Sequence, residues 1–426
     1  VTVTRRQVLG LGLATAAAAA AWPARLFAAG YRVGVGHDAD AYHATQRALE
    51  ASGEWPSVLV AGRRVVIKPN LVQPRPASTG STTDPEVVRA VVDRALADGA
   101  ASVQIVEHAG HGAFYTACGY DLFRTYDPDG RVQLVDLQES TQSLWPLAGG
   151  MAYGAISTAD LLFGDDVVFV SAAKLKTHTD AVMSLSMKNL FGLPALDRYV
   201  SYMPQGRFAM HDRSLHQSVV DLNRLRPVDF AVVDGVWAME GAGPLAGTPV
   251  RMDTVLAGRN ALAVDRVAVS LTQLSPRSVR HLDYGAALGL GPRELDEITV
   301  AGDTLTPRTW VFPRLPPYVE YPRVSPAAFH PAAGEKTTVG VYYAQTCIRA
   351  LDVLSVHDDR AAVDLVRTLK AYGTRAPGYE FIAWDGRGDD GTLAPPGRYA
   401  AHVRAFQPTG DGRPMDGMAW VTVVAA

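Results

Sequence analysis

The stretch Arg64 to Glu107, RVVIKPNLVQPRPASTGSTTDPEVVRAVVDRALADGAASVQIVE, reads as strand, helix, strand. RVVIKP and SVQIVE are short β-branched runs bounded by turn-forming or polar residues. Between them Asp84 makes an acidic N-terminal turn and Pro85 occupies the first helical turn. Val87, Val88, Val91, Val92 and Ala95 then recur at helical spacing until Gly99 stops the helix.

The same alternation continues on both sides. YRVGVG from Tyr31 is followed by a helical stretch to Ala51, and VQLVDL, DVVFVSA and DFAVVDG read as further buried strands. Leu215 to Leu225 and Ala261 to Leu274 read as helices. Strands alternating with helices predict an α/β domain, a parallel or mixed sheet with helices on both faces. In open sheets of this kind ligands bind beyond the carboxyl ends of the strands. Lys68-Pro69-Asn70, Glu107-His108, Lys174 to His178 and Asp234-Gly235 each end a predicted strand, so one convergent site is expected there.

Composition marks the same residues. Of 40 basic residues only six are lysines, at 68, 174, 176, 188, 336 and 370. Four of them fall in three short motifs, KPN, KLKTH and KN, in a chain that otherwise uses arginine. A compact ammonium whose pKa can be tuned is what lysine offers over arginine, although ordinary solvated lysines are the plain alternative. If Lys68, Lys174, Lys176 and Lys188 converge they repel one another, and a small anionic ligand or cofactor relieves that repulsion. Asn70, Asn189 and the glycines of GLP (Gly192) and GAGP (Gly241 and Gly243) are the expected amide donors and close-approach positions. KTHTD as an extended strand puts Lys176, His178 and Asp180 on one side. Glu107, His178 and Asp234 are the candidates for proton transfer. Glu240 reads equally as a base, a cap or a salt-bridge partner.

Other chemistry is less supported. There is no GxxxxGK[ST], no strand-linked GxGxxG and no nucleophile-elbow sequence. A metal-binding alternative rests on His108, His111 and Glu107, on His178 with Asp180, and on His211, Asp212 and His216. Their spacings match no established metal motif, so no metal ligand is assigned. Cys118 and Cys347 cannot supply the four thiolates of an iron-sulfur cluster, the identity of any other cofactor stays open, and a disulfide between them is not favoured.

Residues 1–29 read as a twin-arginine signal: Thr4-Arg5-Arg6-Gln7-Val8-Leu9, an alanine-rich run, and small residues at Ala28 and Ala29. Export to the periplasm or beyond is expected, with no membrane span after cleavage. Removing Arg5, Arg6 and Arg25 from a chain of formal net charge -3 takes off three positive charges and leaves -6, which argues against a nucleic-acid partner. From 306 to 334 the chain is too proline-rich for helix or central strand and reads as a linker strapped across the α/β domain (30–305). From 335 to 426, VGVYYAQ, ALDVLSVHD, YEFIAWDG, GRYAAHVRAFQ and MAWVTVVAA are short alternating strands.

Two resemblances follow from these motifs. VVIKPNLV, SAAKLKTH with MKNLFG, and VVDGVWAMEGAGPLAG, in this order, resemble the DUF362 family over roughly Tyr31 to Asp303. The family is largely uncharacterised, so the resemblance implies a fold and a site but no substrate. Some of its members carry a ferredoxin-like cysteine cluster that is absent here. FIAWDGRGDDGTLAPPGRYAAHVRA resembles the immunoglobulin-like domain of the flagellar hook-capping protein FlgD. That resemblance implies a β-sandwich with Trp384 in its core, turns at Asp385-Gly386 and Pro396-Gly397, and no catalysis. The aspartates Asp385, Asp389 and Asp390 read as turn formers before they read as a calcium site. The rival to an anion site is therefore a non-catalytic protein whose sandwich docks to a partner or to the cell envelope.

Overall fold

A computed structural model describes residues 30–56, 60–110, 112–199, 210–211, 214–304, 306–312, 319–320, 322–356, 363–409 and 415–425. The expected signal segment, His111, Asp212 and the prolines Pro313, Pro316 and Pro317 lie outside them.

The first domain runs β1 (Tyr31–His37), α1 (Ala41–Ser52), β2 (Arg64–Pro69), α2 (Pro85–Ala97), β3 (Ser102–Glu107), α3 (Ala113–Ala117), β4 (Val132–Asp136), β5 (Gln142–Pro146) and β6 (Ala155–Ala159). It continues with β7 (Val167–His178), β8 (Val182–Ser184), α4 (Ser186–Asn189), α5 (Leu215–Leu225), β9 (Phe230–Glu240), β10 (Thr248–Gly258), α6 (Ala261–Ser270), α7 (Arg280–Ala287) and β11 (Ile298–Gly302). The main sheet has the order β11-β1-β10-β9-β7-β2-β3-β4, with β8 folded back on the end of β7. Strands β9, β7, β2, β3 and β4 are parallel. β10 is antiparallel to both β9 and β1, so the sheet is mixed.

Local chemistry explains the elements. Asp84 caps α2, its side chain accepting from Glu86 N, and Pro85 occupies the first turn. The glycines of YRVGVG are packing residues: a Cβ at Gly34 would lie 2.1 Å from Ala48 O and one at Gly36 1.9 Å from Ala44 O, so α1 lies directly on the β1 backbone. Two apolar layers cover the sheet. Val168, Val170 and Ala172 of β7 pack with α1 and α2, whereas Phe169, Ala173 and Leu175 pack with α5 and α6. That alternation fixes where the lysines point. Lys174 and Lys176 share the face of Val168 and Val170, and Lys68 shares the opposite face, that of Val66.

The chain beyond Gly302 straps back before entering a second unit. Arg308 N donates to Leu271 O, Trp310 is 4% exposed within the first domain's core, and Gly241 N donates to Val311 O. The second unit contains β12 (Arg323–Ser325), β13 (Ala328–Phe329), β14 (Thr337–Tyr343), β15 (Cys347–Val356), β16 (Val363–Arg375), β17 (Gly378–Trp384), β18 (Gly397–Phe406) and β19 (Met415–Val423). They form one sheet of order β12-β14-β17 and another of order β13-β19-β18-β15-β16. Val339, Val341 and Ile382 of the first meet Leu351, Ala401 and Val403 of the second, and Trp384 packs on Phe329 and Tyr399. β12 and β13 fall inside the stretch expected to be linker. Both are edge strands, where the neighbouring Pro322 and Pro326 remove no central ladder bond.

The acidic turn behaves as turn chemistry. Asp385 accepts from Arg387 N, Asp390 from Thr392 N, and Asp389 from Thr368 N. Cys118 and Cys347 are both buried free thiols. Among the described residues no helix is long and apolar enough to cross a membrane.

Candidate functional site: a lysine cluster at the strand ends

The parallel strands deliver their carboxyl ends to one place. Lys68 Nζ, from the end of β2, lies 2.7 Å from Glu107 Oε2 at the end of β3 and donates to Pro69 O at 2.9 Å. Lys174 Nζ, on β7, lies 2.7 Å from Asp234 Oδ2 on β9, and both side chains are 0% exposed. Lys176 Nζ donates to Asn70 Oδ1 at 2.8 Å and to Ser81 O. Asn70 joins the two sheet faces. Its Oδ1 receives Lys176 from one, and its Nδ2 donates at 3.2 Å to Asn189 Oδ1, which is itself 3.5 Å from Lys68 Nζ on the other.

Lys188 and Asn189 arrive on α4, a single turn. Asp265 of α6 holds its start, accepting from Ser186 N and Met187 N at 2.8 Å each. Asn223 of α5 donates to Met187 O at 2.9 Å. Lys188 Nζ sits 4.4 Å above the Phe191 ring, a cation–π contact. At Gly192, the residue after Phe191, the chain passes so close to the first ion pair that a Cβ there would lie 2.6 Å from Lys68 Cε and 2.7 Å from its Nζ. The cluster is deep: Lys68, Lys174 and Lys176 are each 1% exposed and Lys188 9%. Asn70, Gly192 and His211 are half-buried and mark where it meets solvent.

The residues expected to move protons divide into two kinds. Glu107 Oε2 accepts from Lys68 and from Leu71 N, and its Oε1 accepts from His108 N. Asp234 accepts from Lys174, Asp84 N and Val236 N. Both carboxylates are thus occupied partners of buried lysines. His178 differs. Its Nδ1 accepts from Asp180 N at 3.0 Å and Ala181 N at 3.2 Å, which puts the ring proton on Nε2. Burial, then the charge of Lys188, holds this ring well below its usual range. Lys176 is treated likewise: burial first, then Lys174 and Lys188, depress its amine well below the ordinary lysine value. Its two hydrogen bonds go to Asn70 Oδ1 and Ser81 O, so in the neutral form both N–H groups would be occupied and the lone pair would be the position that accepts a proton.

Gly241 and Gly243 do not present free amides. Gly241 N donates to Val311 O and Gly243 N to Gly241 O, while a Cβ at Gly243 would lie 2.1 Å from Thr177 O. Their role is close packing of the loop after β9 against the end of β7. Glu240 accepts from Val311 N and pairs with Arg308, so it anchors the strap. Among the described residues, which leave out His111 and Asp212, no group of three or more His, Cys, Asp or Glu could hold an ion. His178 stacks beside His211, with centroids 5.9 Å apart, and His216 meets His281, Nδ1 to Nδ1, at 3.0 Å. Gly192 is a close-approach position, as its place in GLP suggests, whereas sequence reasoning missed Asp265 and His281. A lone aspartate inside the apolar run ALAVDRVAV signals the first of these, and nothing near His281 signals the second.

The chain is 27% identical over 258 residues to the thylakoid-associated protein sll1697 of Synechocystis sp. (strain ATCC 27184 / PCC 6803 / Kazusa), covering 57% of this chain and 74% of that one. Among solved structures, the Pseudomonas fluorescens alkylpurine DNA glycosylase AlkC bound to abasic-site DNA aligns at 15% identity over 38% of each chain, with a TM-score of 0.18. A β-glucosidase, EmGH1 of Erythrobacter marinus, aligns at 12% identity over 92% of this chain and 49% of that one, with a TM-score of 0.17. This chain therefore spans less than half of either solved protein, and neither likeness carries an argument. Residues 65–270, which hold every strand end of the lysine cluster, match the family described as Domain of unknown function (DUF362).

Proposed function

We propose that the strand-end cluster binds a small anion, a carboxylate or a phosphate, and that Lys176 takes up a proton as it does so. The observation that carries this reading is the unequal treatment of the lysines. Lys68 and Lys174 each have a carboxylate at 2.7 Å, whereas the hydrogen bonds of Lys176 go to an amide and a carbonyl oxygen at 1% exposure. A buried amine left among other cations is a site whose charge is completed by something else. Lys188 is the second ligand-holding group, and Asn70, at the solvent edge, is the amide donor. His178, neutral and adjacent, is the candidate for passing a proton onward if the bound molecule is turned over.

The location we propose is outside the cytoplasm, on the strength of the twin-arginine start at Thr4 to Leu9. That the Synechocystis relative is named thylakoid-associated is a statement about that protein.

The test begins with protein purified from its native host. Mass spectrometry and elemental analysis of the isolated chain identify a co-purifying organic anion or phosphorus, which is expected to be lost in Lys176→Met. Titration of the emptied protein with inorganic phosphate in two buffers of different ionisation enthalpy then reads proton uptake. Losing one charge-assisted bond should weaken binding by roughly 10- to 100-fold in Lys176→Met or Lys188→Met. Equal phosphate and carboxylate binding by wild type and both variants would sink the reading. A stoichiometric metal in the native protein would replace it with the histidine alternative.

A further inference from the structure

Helix α5 touches both halves of the molecule. On one side it meets the free stretch of β19, beyond the reach of the two-residue strand β13, which pairs only with Thr422 and Val423. Gln217 there makes a reciprocal pair with the β19 backbone: Nε2 donates to Met418 O at 2.8 Å and Oε1 accepts from Met418 N at 2.6 Å. Ser214 N donates to Asp416 Oδ2 at 2.7 Å, and that carboxylate also meets His402 Nε2 at 3.1 Å. Trp420 Nε1 donates at 2.7 Å to Gly150 O, in a loop whose next three amides all bond Asp221 of α5. Gln217, Ser214 and Met418 are 0% exposed.

On its other side α5 holds the site. Asn223 bonds Met187 O on the turn that carries Lys188, and His216 meets His281 of α7. The last residue of β19's grip on the helix and the first residue of the helix's grip on α4 are thus on one rigid element of 11 residues.

We propose that the C-terminal sandwich is a positioning unit for the lysine cluster, with Gln217 as the positioning residue that transmits its hold to Lys188 through α5. A sandwich that served only to dock elsewhere needs no fully buried, two-way amide pairing with the helix behind the site. A side chain that reads a strand edge in both directions also fixes the register of helix against strand, and so the height at which α4 presents Lys188. The proposal deepens the anion-site reading, and it rests on that reading only in taking Lys188 as a ligand-holding group.

The experiment uses the full chain without added anion. Gln217→Met keeps the volume of the side chain and removes both bonds. Acetylation of each lysine by a limiting amine-reactive reagent, and amide hydrogen exchange, are read by mass spectrometry well below the melting temperature. Loss of both hydrogen bonds should raise Lys188 acetylation and the exchange of 186–190 by roughly 5- to 100-fold. Lys68 and Lys174 acetylation and the exchange of α2 should stay unchanged. Opening confined to β19 with Lys188 unaffected would make the sandwich a passenger and overturn the proposal. So would a parallel rise at every lysine, which is general loosening. If Gln217→Met does not fold, Trp420→Phe removes the bond to Gly150 O, keeps an aromatic ring beside Arg398 and is read in the same way. Because no anion is present, failure here is distinct from failure of the anion reading.

Discussion

Replacing Glu107 by glutamine separates the role its strand-end position suggests from the role the structure gives it. Glu107 and Lys68 are 8% and 1% exposed and 2.7 Å apart. At an effective dielectric constant of about 20, unit charges at that separation attract by about 6 kcal/mol. Glutamine keeps the shape and one acceptor but leaves Lys68 as an uncompensated buried cation, a change that costs about 3–5 kcal/mol. For a first domain of roughly 270 residues that lowers the melting temperature by roughly 5–9 °C. Adding Lys68→Met removes the stranded charge, so the double variant should recover more than half of the loss. The assay is a denaturant and thermal melt of the four members of the cycle, with phosphate titration of each. Glu107→Gln within about 1 kcal/mol of wild type, or a double variant no better than the single, would refute the buried-pair argument. A stable Glu107→Gln that binds but no longer turns over its ligand would return Glu107 to the role of a base.

Gly192→Ala places a methyl group 2.6 Å from Lys68 Cε, whose ammonium is held by Glu107, and should destabilise by about 1–3 kcal/mol while weakening phosphate binding. Gly241→Ala meets nothing within 4 Å but sits at φ +79°, so thermal melts should show about 1–2 kcal/mol of strain and no loss of phosphate binding. The depressed Lys176 amine means that the folded chain binds fewer protons than the unfolded one, from its lowered value up to about 10.4. Stability contributed by this group therefore rises with pH across that window. Asp265, whose burial lifts its carboxyl to about 8, acts with the opposite sign as pH rises toward 8. The measurement is accordingly the difference between wild type and Lys176→Met, in which the aspartate cancels. A flat difference would show Lys176 to be an ordinary ammonium. Because Cys118 and Cys347 are separate free thiols, a reductant should leave the melting temperature unchanged, whereas a disulfide would be worth about 2–4 kcal/mol.

What could be read in the sequence follows the range of the interactions involved. The cap at Asp84, Pro85 and the valine spacing make α2 a local matter, and it appears at Pro85–Ala97. β-branched runs make the parallel strands legible too, because strands buried on both faces are apolar throughout. β10 was missed since TPVRMDTVLAG has a polar, half-exposed first half and a bulge between Arg251 and Thr254, and only its second half is a buried run. At the site, convergence of the strand ends was legible from topology alone. The allocation of charges was not. Lys174 and Asp234 are 60 residues apart and Lys68 and Glu107 are 39, so nothing local says that these carboxylates quench these lysines. The glycines of GAGP look like an anion loop, yet their amides are taken by Val311 O and Gly241 O, the first of them on a strap seventy residues downstream.

The charge count shows why one lysine matters more than its neighbours. Lys68 meets Glu107 and Lys174 meets Asp234, and each pair is electrically closed. Asp84 adds no free anion for Lys176: its backbone amide bonds Asp234, its side chain caps α2, and burial, followed by repulsion from Asp234, raises its carboxyl pKa. Lys176 is left with the cations of Lys174 and Lys188 as its strongest charged neighbours, and the fold answers by depressing its amine. On the proposed reading an arriving anion reverses that balance, because its charge favours the ammonium form that burial disfavours. Binding and protonation would then be one event, each strengthening the other by the same factor. Such coupling requires Lys188 to stay at its distance from Lys176, which places the demand for rigidity on the single turn of α4. A turn of four residues has too few internal bonds to hold itself, and Asp265, Asn223 and the strand-gripped helix α5 supply what it lacks.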